Sequence, residues 1–228
     1  MDCYANGVED AAKHGLKEVW FSQANLGESL IFTGQLEEAK AALVESMATA
    51  AASGQGNHSF AEVFYAHVLR IEGDNDGARH LLEEVLERWR TQGFAQPISY
   101  QRAYLELASI DLSRRDLETA RANVTESIRI GDEVGDQHRI GEGLTVLAGV
   151  CVVEGSPRDA AMFLGAGSAA DARLGFRLRP DYQELNDETK QAVWDELGEE
   201  EAIAAWTKGA ELETHEAARL ALDRGGSV

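Results

Sequence analysis

The sequence predicts an all-α protein, a right-handed superhelix of about four to five antiparallel helical hairpins closed by a C-terminal helical segment. Only three prolines occur in 228 residues, and apolar residues recur with helical rather than alternating spacing. Two further observations concern repetition. Glycines recur about every 40 residues, and a pair of small residues recurs with the same period. Because two independent markers share one period, the hairpins are expected to be repeats of one unit.

The first marker is a series of glycines that each follow a stretch with helical spacing. Successive members are 39, 39, 42 and 40 residues apart. Each stands where a helix would end in the left-handed conformation, which glycine adopts without steric cost. The series therefore predicts the ends of five helices, at Gly15, Gly54, Gly93, Gly135 and Gly175.

The second marker is an alanine in the first turns of the second helix of each hairpin, with a small residue twelve positions upstream on the first helix. Small residues on facing helices allow two helix axes to approach closely, so each pair predicts a packed hairpin. The alanines are 39, 42 and 40 residues apart. The pairs are Gly27 with Ala39, Ala66 with Ala78, Ala108 with Ala120, and Ala148 with Ala160.

These markers, read with the helical spacing of the apolar residues, predict the following elements in chain order. A helix at 4–14 precedes hairpins of 17–33 with 36–53, 58–72 with 75–92, 98–114 with 116–134, and 137–154 with 157–174, and tail helices follow near 181–197, 199–210 and 214–223. The predicted domains are a repeat solenoid at 1–175, whose first repeat is incomplete at 4–14, and a helical cap at 176–228. Because solenoid ends need polar caps, we expect either a longer parent protein or self-association through the N-terminal end.

The segment Gly34-Gln35-Leu36-Glu37-Glu38-Ala39 and its counterparts resemble the tetratricopeptide (TPR) repeat. That repeat has a period of about 34 residues, and the longer period resembles the sensor repeats of bacterial MalT and LuxR-type large ATP-binding regulators and related antibiotic regulatory proteins. The tail segments Phe163-Leu164-Gly165-Ala166 and Ala205-Trp206-Thr207-Lys208-Gly209 resemble the end of those repeat regions. The resemblance implies a cytoplasmic sensor portion of a signal-transducing transcription regulator. The sequence contains neither a phosphate-binding loop nor a convincing helix-turn-helix.

Charge and motif spacing argue against several classes of function. The net charge of −19 opposes direct binding to nucleic acid or to an anionic membrane. The histidines and cysteines lack metal-ligand spacing, and no catalytic residue or cofactor is predicted. Gly165-Ala166-Gly167 is interpreted as a site of close helix packing rather than a dinucleotide-binding motif. Asp74-Asn75-Asp76-Gly77 is interpreted as the turn of a hairpin rather than a calcium-binding loop. Cys151 is interpreted as a core residue.

Two functions of different class remain. The first is a non-catalytic scaffold that binds a protein, a peptide or a small effector on the concave surface of stacked hairpins. The alternative is an all-helical enzyme whose active site is assembled from distant residues. The resemblance to TPR repeats implies that the first helix of each hairpin lines the groove, which selects Asn25, Glu28, Phe32, Phe64, His67, Arg70, Arg102, Glu106, Ser109, Glu142 and Thr145.

Two arginines of this set, Arg70 and Arg102, stand out because cations are scarce in the chain. Guanidinium groups bind carboxylates through paired hydrogen bonds, so the two side chains would suit an acidic partner. The alternative is that they pair with Glu28, Glu106 or Glu142 in a solvated network. Both interpretations stay open at the level of sequence.

Overall fold

The protein is all-α in its computed structural model, which describes residues 19–54, 60–93 and 96–225; within these ranges there are eleven helices and no strand. We number them α1 (Val19–Phe32), α2 (Leu36–Ala52), α3 (Ala61–Ile71), α4 (Asn75–Gln92), α5 (Pro97–Ser113), α6 (Leu117–Val134), α7 (Gln137–Val153), α8 (Pro157–Leu174), α9 (Pro180–Leu197), α10 (Glu199–Ala210) and α11 (Thr214–Gly225). Every predicted helix from 17 onward is present, with ends within three residues of those predicted. The predicted helix at 4–14 and Gly15 lie outside the described residues.

The predicted glycine caps are confirmed wherever the structure describes them. Gly93, Gly135 and Gly175 follow α4, α6 and α8 with φ values of 69°, 73° and 68°. Gly54, one residue beyond the C-cap of α2, has a φ of 77°. The glycine series in the sequence therefore marks real helix ends.

The turn inside each hairpin also uses the left-handed conformation, and one of the four turns lacks a glycine for it. Gly34, Gly73 and Gly155 have φ values of 76°, 87° and 77°, whereas the third hairpin places Arg115 at this position with a φ of 59°. Among the described residues, Arg115 is the one non-glycine residue with positive φ. The left-handed conformation of a residue with a Cβ costs free energy.

Replacing Arg115 with glycine is therefore expected to stabilise the protein by about 0.5–1 kcal/mol, since relief of the left-handed strain exceeds the extra backbone entropy of glycine. Urea denaturation of the Arg115→Gly variant measures the effect. The adjacent substitution Arg114→Gly, at a residue without positive φ, is the matched control and is expected to be neutral or destabilising. Equal effects of the two substitutions would contradict this explanation.

The small residues of the second marker lie at helix crossings, as predicted. A Cβ added to Gly27 of α1 would lie 2.6 Å from the Leu43 side chain of α2. Ala66, Ala108 and Ala148 are all fully buried, and so are the alanines with which they are paired. Gly27 thus lies at a close approach of α1 and α2, and the alanines of the other pairs lie in the core.

The chain divides into two compact units, 1–96 and 97–228. In unit 1, α1 pairs with α2 and α3 with α4, and α3 also packs on α1 and α2. Its core includes Leu43 and Phe64, and interhelical ion pairs join Lys40 to Glu72 and Arg88 to Glu62.

In unit 2, the hairpins α5–α6 and α7–α8 pack side by side, and the tail helices cover them. Helix α9 packs on α7 and α8, α10 packs on α8, and α11 packs on α6, α7 and α8. Tyr182, Val193 and Ala218 of the tail belong to the same buried cluster as Leu147 and Phe163 of the hairpins. The compact units thus divide at 96/97, and within unit 2 the tail from 176 onward shares one core with the hairpins. Within the described residues, no helix is long and apolar enough to span a membrane.

Candidate functional site

A buried cluster of charged side chains lies where α9 meets the first helices of unit 2. Arg179 is the N-cap residue of α9, in an extended conformation, and Pro180 begins the helix. The Arg179 side chain is only 5% exposed, and its Nη2 lies 3.5 Å from Oε1 of Glu106 on α5. Its Nε lies 3.2 Å from Oε1 of Glu142 on α7, and Nη2 donates to Glu142 Oε2 at 3.4 Å. One guanidinium therefore bridges carboxylates from two hairpins.

Glu142 is the centre of this cluster and has no solvent exposure. Arg139, one turn earlier on α7, donates from Nη1 to Glu142 Oε2 at 2.8 Å, and Nε2 of His138 lies 3.6 Å from Oε1. Burial alone would raise the pKa of Glu142, but Arg179, Arg139 and His138 outweigh it and lower the pKa to about 2. Glu142 is thus a carboxylate at neutral pH, held by opposite charges rather than by water.

Tyr182, one helical turn after Arg179, fixes α9 against α5. Its side chain is 1% exposed, and the guanidinium of Arg179 lies 4.8 Å from the centre of its ring, in cation–π contact. The Tyr182 hydroxyl donates to Glu106 Oε1 at 3.5 Å and lies 3.4 Å from the Ser109 hydroxyl. Arg179 and Tyr182 together set the position of the N-terminal end of α9.

The segment between α8 and α9 closes one side of the cluster. Phe176 stacks on the His138 ring, with centroids 4.4 Å apart and planes at 22°. Nδ1 of His138 lies 3.4 Å from Oδ1 of Asp171 near the end of α8. His138 therefore lies between two carboxylates and under an aromatic ring.

The arrangement is suited to holding a cation at two carboxylates. Burial, paired charges and hydrogen bonds keep Glu106 and Glu142 directed at a guanidinium, which is the geometry that discriminates arginine from other side chains. The part of the chain that the structure describes contains no group of three or more His, Cys, Asp or Glu side chains that could hold a metal ion.

The eleven predicted groove residues differ widely in exposure. Phe32 is 40% exposed, Asn25, Glu28, Arg70, Arg102 and Ser109 are half-buried, and Phe64, His67, Glu106, Glu142 and Thr145 are buried. Glu106, Ser109 and Glu142 meet in the cluster around α9, whereas Thr145 donates to Gly141 O and lies near Gly167, at the crossing of α7 and α8. His67 lies in α3 and has no solvent exposure. At this position, the spacing of about four residues along the first helix does not distinguish a groove residue from a core residue.

The predicted arginine pair is distributed over both units. Arg70 belongs to unit 1 and Arg102 to unit 2, and each is half-buried within its own unit. Two of the carboxylates predicted as alternative partners, Glu106 and Glu142, form ion pairs with Arg179, and Glu142 also pairs with Arg139. Recognition of a carboxylate by Arg70 and Arg102 stays a prediction.

Arg179, Tyr182, Arg139 and His138 were not predicted from the sequence. The detectable signal was an arginine directly before the proline that begins a helix, in a chain where cations are scarce. The other motifs fit their structural interpretation. Asp74 caps α4 by accepting from the Gly77 amide at 2.9 Å, and Cys151 is a buried thiol whose pKa is raised to about 11 because burial outweighs its contact with Arg121.

A second candidate site is a cleft of about 480 Å³ between α8, α10 and α11. Its charged residues largely neutralise one another, because Arg158 pairs with Glu201 and Arg224 pairs with Asp159. These side chains are partly exposed, so the pairs are weak. The cleft lacks the buried, directed charges of the cluster around Arg179.

Comparison with protein-family models finds none that matches the chain, and no curated protein matches it.

Proposed function

We propose that this chain is a non-catalytic scaffold of TPR-like repeats, stacked as a right-handed superhelix, that binds a helical segment of a protein or peptide. The observation that carries the proposal is the contact of the N-terminal end of α9 with α5 and α7, the first helices of the two hairpins of unit 2. Glu106 and Glu142 lie at positions predicted to contact a partner, and both contact Arg179 at the start of a helix. Two positions that the TPR-like pattern predicts to contact a partner are thus in contact with the start of a helix of this chain, which supports the proposal.

The proposal is physically consistent with how helices are recognised in grooves. An amphipathic helix is bound by apolar contacts along one face and by a few directed polar contacts that fix its register. Val193 and Tyr182 supply buried apolar surface, and the Arg179 ion pairs supply direction. A small effector that competes with such a helix would use the same carboxylates.

The biological setting that we propose is the sensor portion of a bacterial signal-transducing transcription regulator, in the cytoplasm. This part of the proposal is supported by the repeat pattern and the tail segments that resemble those regulators. The net charge of −19 supports a protein or peptide partner over nucleic acid.

Selection of displayed peptides against the immobilised full chain tests the proposal. We expect enrichment of helix-forming peptides that bind saturably in solution. If no peptide family is enriched, and a thermal-shift screen instead finds a compound that the chain converts to product, the scaffold is excluded and the enzyme is favoured.

The arginine pair gives a prediction for any selected peptide that carries acidic residues. Changing Arg70 and Arg102 together to alanine is expected to abolish its binding with little change in melting temperature, because bidentate contacts with carboxylates are lost. The control is Arg90→Ala with Arg158→Ala, which removes the same charge from side chains that are 55% and 73% exposed. Unchanged affinity in the first variant, or equal loss in both, would exclude the pair as the recognition site.

A further inference from the structure

The cleft between α8, α10 and α11 is a part of unit 2 to which the proposed function gives no role. It encloses about 480 Å³, a volume within the usual range of small-molecule sites, about 300–1,000 Å³. None of the residues that line it belongs to the cluster around Arg179. The ligand that the cleft suits follows from its charges, its hydrogen-bond donors and its apolar surface.

The charges of the cleft leave one positive charge in excess. Arg158 of α8 pairs with Glu201 of α10. Arg224 of α11 pairs with Asp159 of α8. Lys208 is the fifth charged residue that lines the cleft, so three cations face two carboxylates. This balance favours a ligand with a single negative charge.

Lys208 supplies the excess charge, and its ammonium group makes no ion pair or hydrogen bond with the residues that the structure describes. The other two lysines in the described part of the chain each have a partner. Lys40 forms an ion pair with Glu72, and Lys190 lies 5.2 Å from the centre of the Trp194 ring. The three N–H donors of Lys208 are therefore available to a ligand that enters the cleft.

The two arginines of the cleft add further hydrogen-bond donors. A guanidinium group has five N–H donors. Arg158 binds Glu201 through Nε and Nη2, and Arg224 binds Asp159 through Nη1. The donors that remain on each group can bind a ligand carboxylate while both ion pairs stay formed.

The apolar part of the cleft lies beside a tight helix crossing. Met162, Ala204 and Ala205 line the cleft, and the flexible methionine side chain adapts to the shape of an apolar ligand. Helices α8 and α10 are in backbone contact next to these residues, because a Cβ at Gly209 would overlap the Met162 carbonyl. The cleft is therefore formed in the absence of a ligand, which lowers the entropy cost of binding.

From the excess charge, the available donors and the apolar surface, we propose that this cleft binds a small monocarboxylate with an apolar body, such as a medium-chain fatty acid. The carboxylate binds the Lys208 ammonium group and the remaining guanidinium donors, and the apolar body covers Met162 and Ala205. The site lies apart from the residues that contact Arg179, so the proposal goes beyond the scaffold function and does not rest on it.

The test is a titration of the full chain with octanoate, followed by amide-detected NMR. We expect saturable shifts of the amide signals of Met162, Ala204 and Lys208, and weaker binding at high salt because salt screens the exposed ammonium group. Octanol has the same apolar body without the charge, whereas acetate and inorganic phosphate have charge without the body. All three are expected to bind at least tenfold more weakly than octanoate.

Two variants and a control separate this site from non-specific binding of octanoate. Lys208→Gln removes the excess charge, and Ala204→Phe fills the cleft from an exposed position. Each is expected to weaken octanoate binding at least tenfold with little change in melting temperature. The control Lys190→Gln removes the same charge from a residue outside the cleft and should leave the affinity unchanged. Because one variant acts through charge and the other through volume, misfolding of either leaves the other decisive.

Several results would overturn the proposal. These are the absence of saturable binding at millimolar octanoate, equal affinities for octanol and octanoate, or equal losses of affinity in Lys208→Gln and Lys190→Gln. Tighter binding of phosphate than of octanoate would reject a carboxylate with an apolar body as the ligand. Peptide selection tests the scaffold function separately, so failure at this cleft leaves that function standing.

Discussion

Replacing Gly209 with alanine is expected to separate α10 from α8 and to lower the free energy of unfolding by about 3 kcal/mol, the upper part of the usual range for overpacking. A Cβ at Gly209 would overlap the backbone carbonyl of Met162, and a Cβ at Gly165 would overlap that of Trp206. Backbone atoms on both helices cannot move aside as a flexible side chain can. Urea denaturation followed by circular dichroism measures the loss.

The matched control for Gly209→Ala is Gly141→Ala, a glycine inside α7. Its Cβ would first meet the Asp171 carboxylate at 3.2 Å, a side chain that can shift. Alanine also favours the helix over glycine by up to about 1 kcal/mol, so the net change is expected to stay within about 1 kcal/mol. A loss at Gly141 as large as that at Gly209 would show that the tight crossing is not the cause.

Replacing Glu142 with glutamine is expected to lower the free energy of unfolding by about 3–5 kcal/mol, because the buried guanidiniums of Arg139 and Arg179 lose their common counter-charge. The exposed pair of Arg158 with Glu201 provides the control, since Glu201→Gln should cost less than about 1 kcal/mol. Chemical denaturation at neutral pH compares the two variants. If the two variants lost similar amounts of unfolding free energy, burial of the Glu142 ion pairs would not explain their effect on stability.

The same carboxyl predicts a dependence of stability on pH. The pKa of Glu142 falls from its ordinary 4.5 to about 2 on folding. Its contribution is therefore fully present above pH 4.5 and is lost as pH falls toward 2, by about 3 kcal/mol over that window. In Glu142→Gln this part of the acid sensitivity should be missing. If the free energy of unfolding of the variant depended on pH as steeply as that of the unaltered chain, protonation of Glu142 would not be the cause of this acid sensitivity.

The hairpins and their ends could be predicted because their signals are local. A glycine that must adopt positive φ, such as Gly93 or Gly135, leaves a mark at one position, and small residues at crossings repeat with the period of the unit. Arg115 stands where the other three hairpins have a glycine in the turn. The turn still forms, and the neighbouring Asp116 caps α6. Local chemistry was thus enough for the secondary structure and for the pairing within hairpins.

The site could not be predicted in the same way, because it depends on contacts between residues far apart in sequence. Tyr182 meets Ser109 across 73 residues, and no local pattern indicates which face of the hairpins a tail helix will cover. The spacing taken from TPR repeats selected Glu106 and Glu142, which contact Arg179 of the tail. It also selected Thr145 and His67, and all four residues are buried, because spacing alone does not distinguish a groove from a packed helix crossing.

The central claim is that the first helices of unit 2 recognise a helix through the charge of Arg179. A double-mutant cycle of Arg179→Ala and Glu142→Gln, measured by the free energy of unfolding, tests it most directly. We expect the double variant to be more stable than the sum of the two losses implies by about 1.5–3 kcal/mol, because it removes both buried charges together. Additive losses would mean that the two side chains do not act on each other, and the account of this face as a charge-directed receptor would then be wrong.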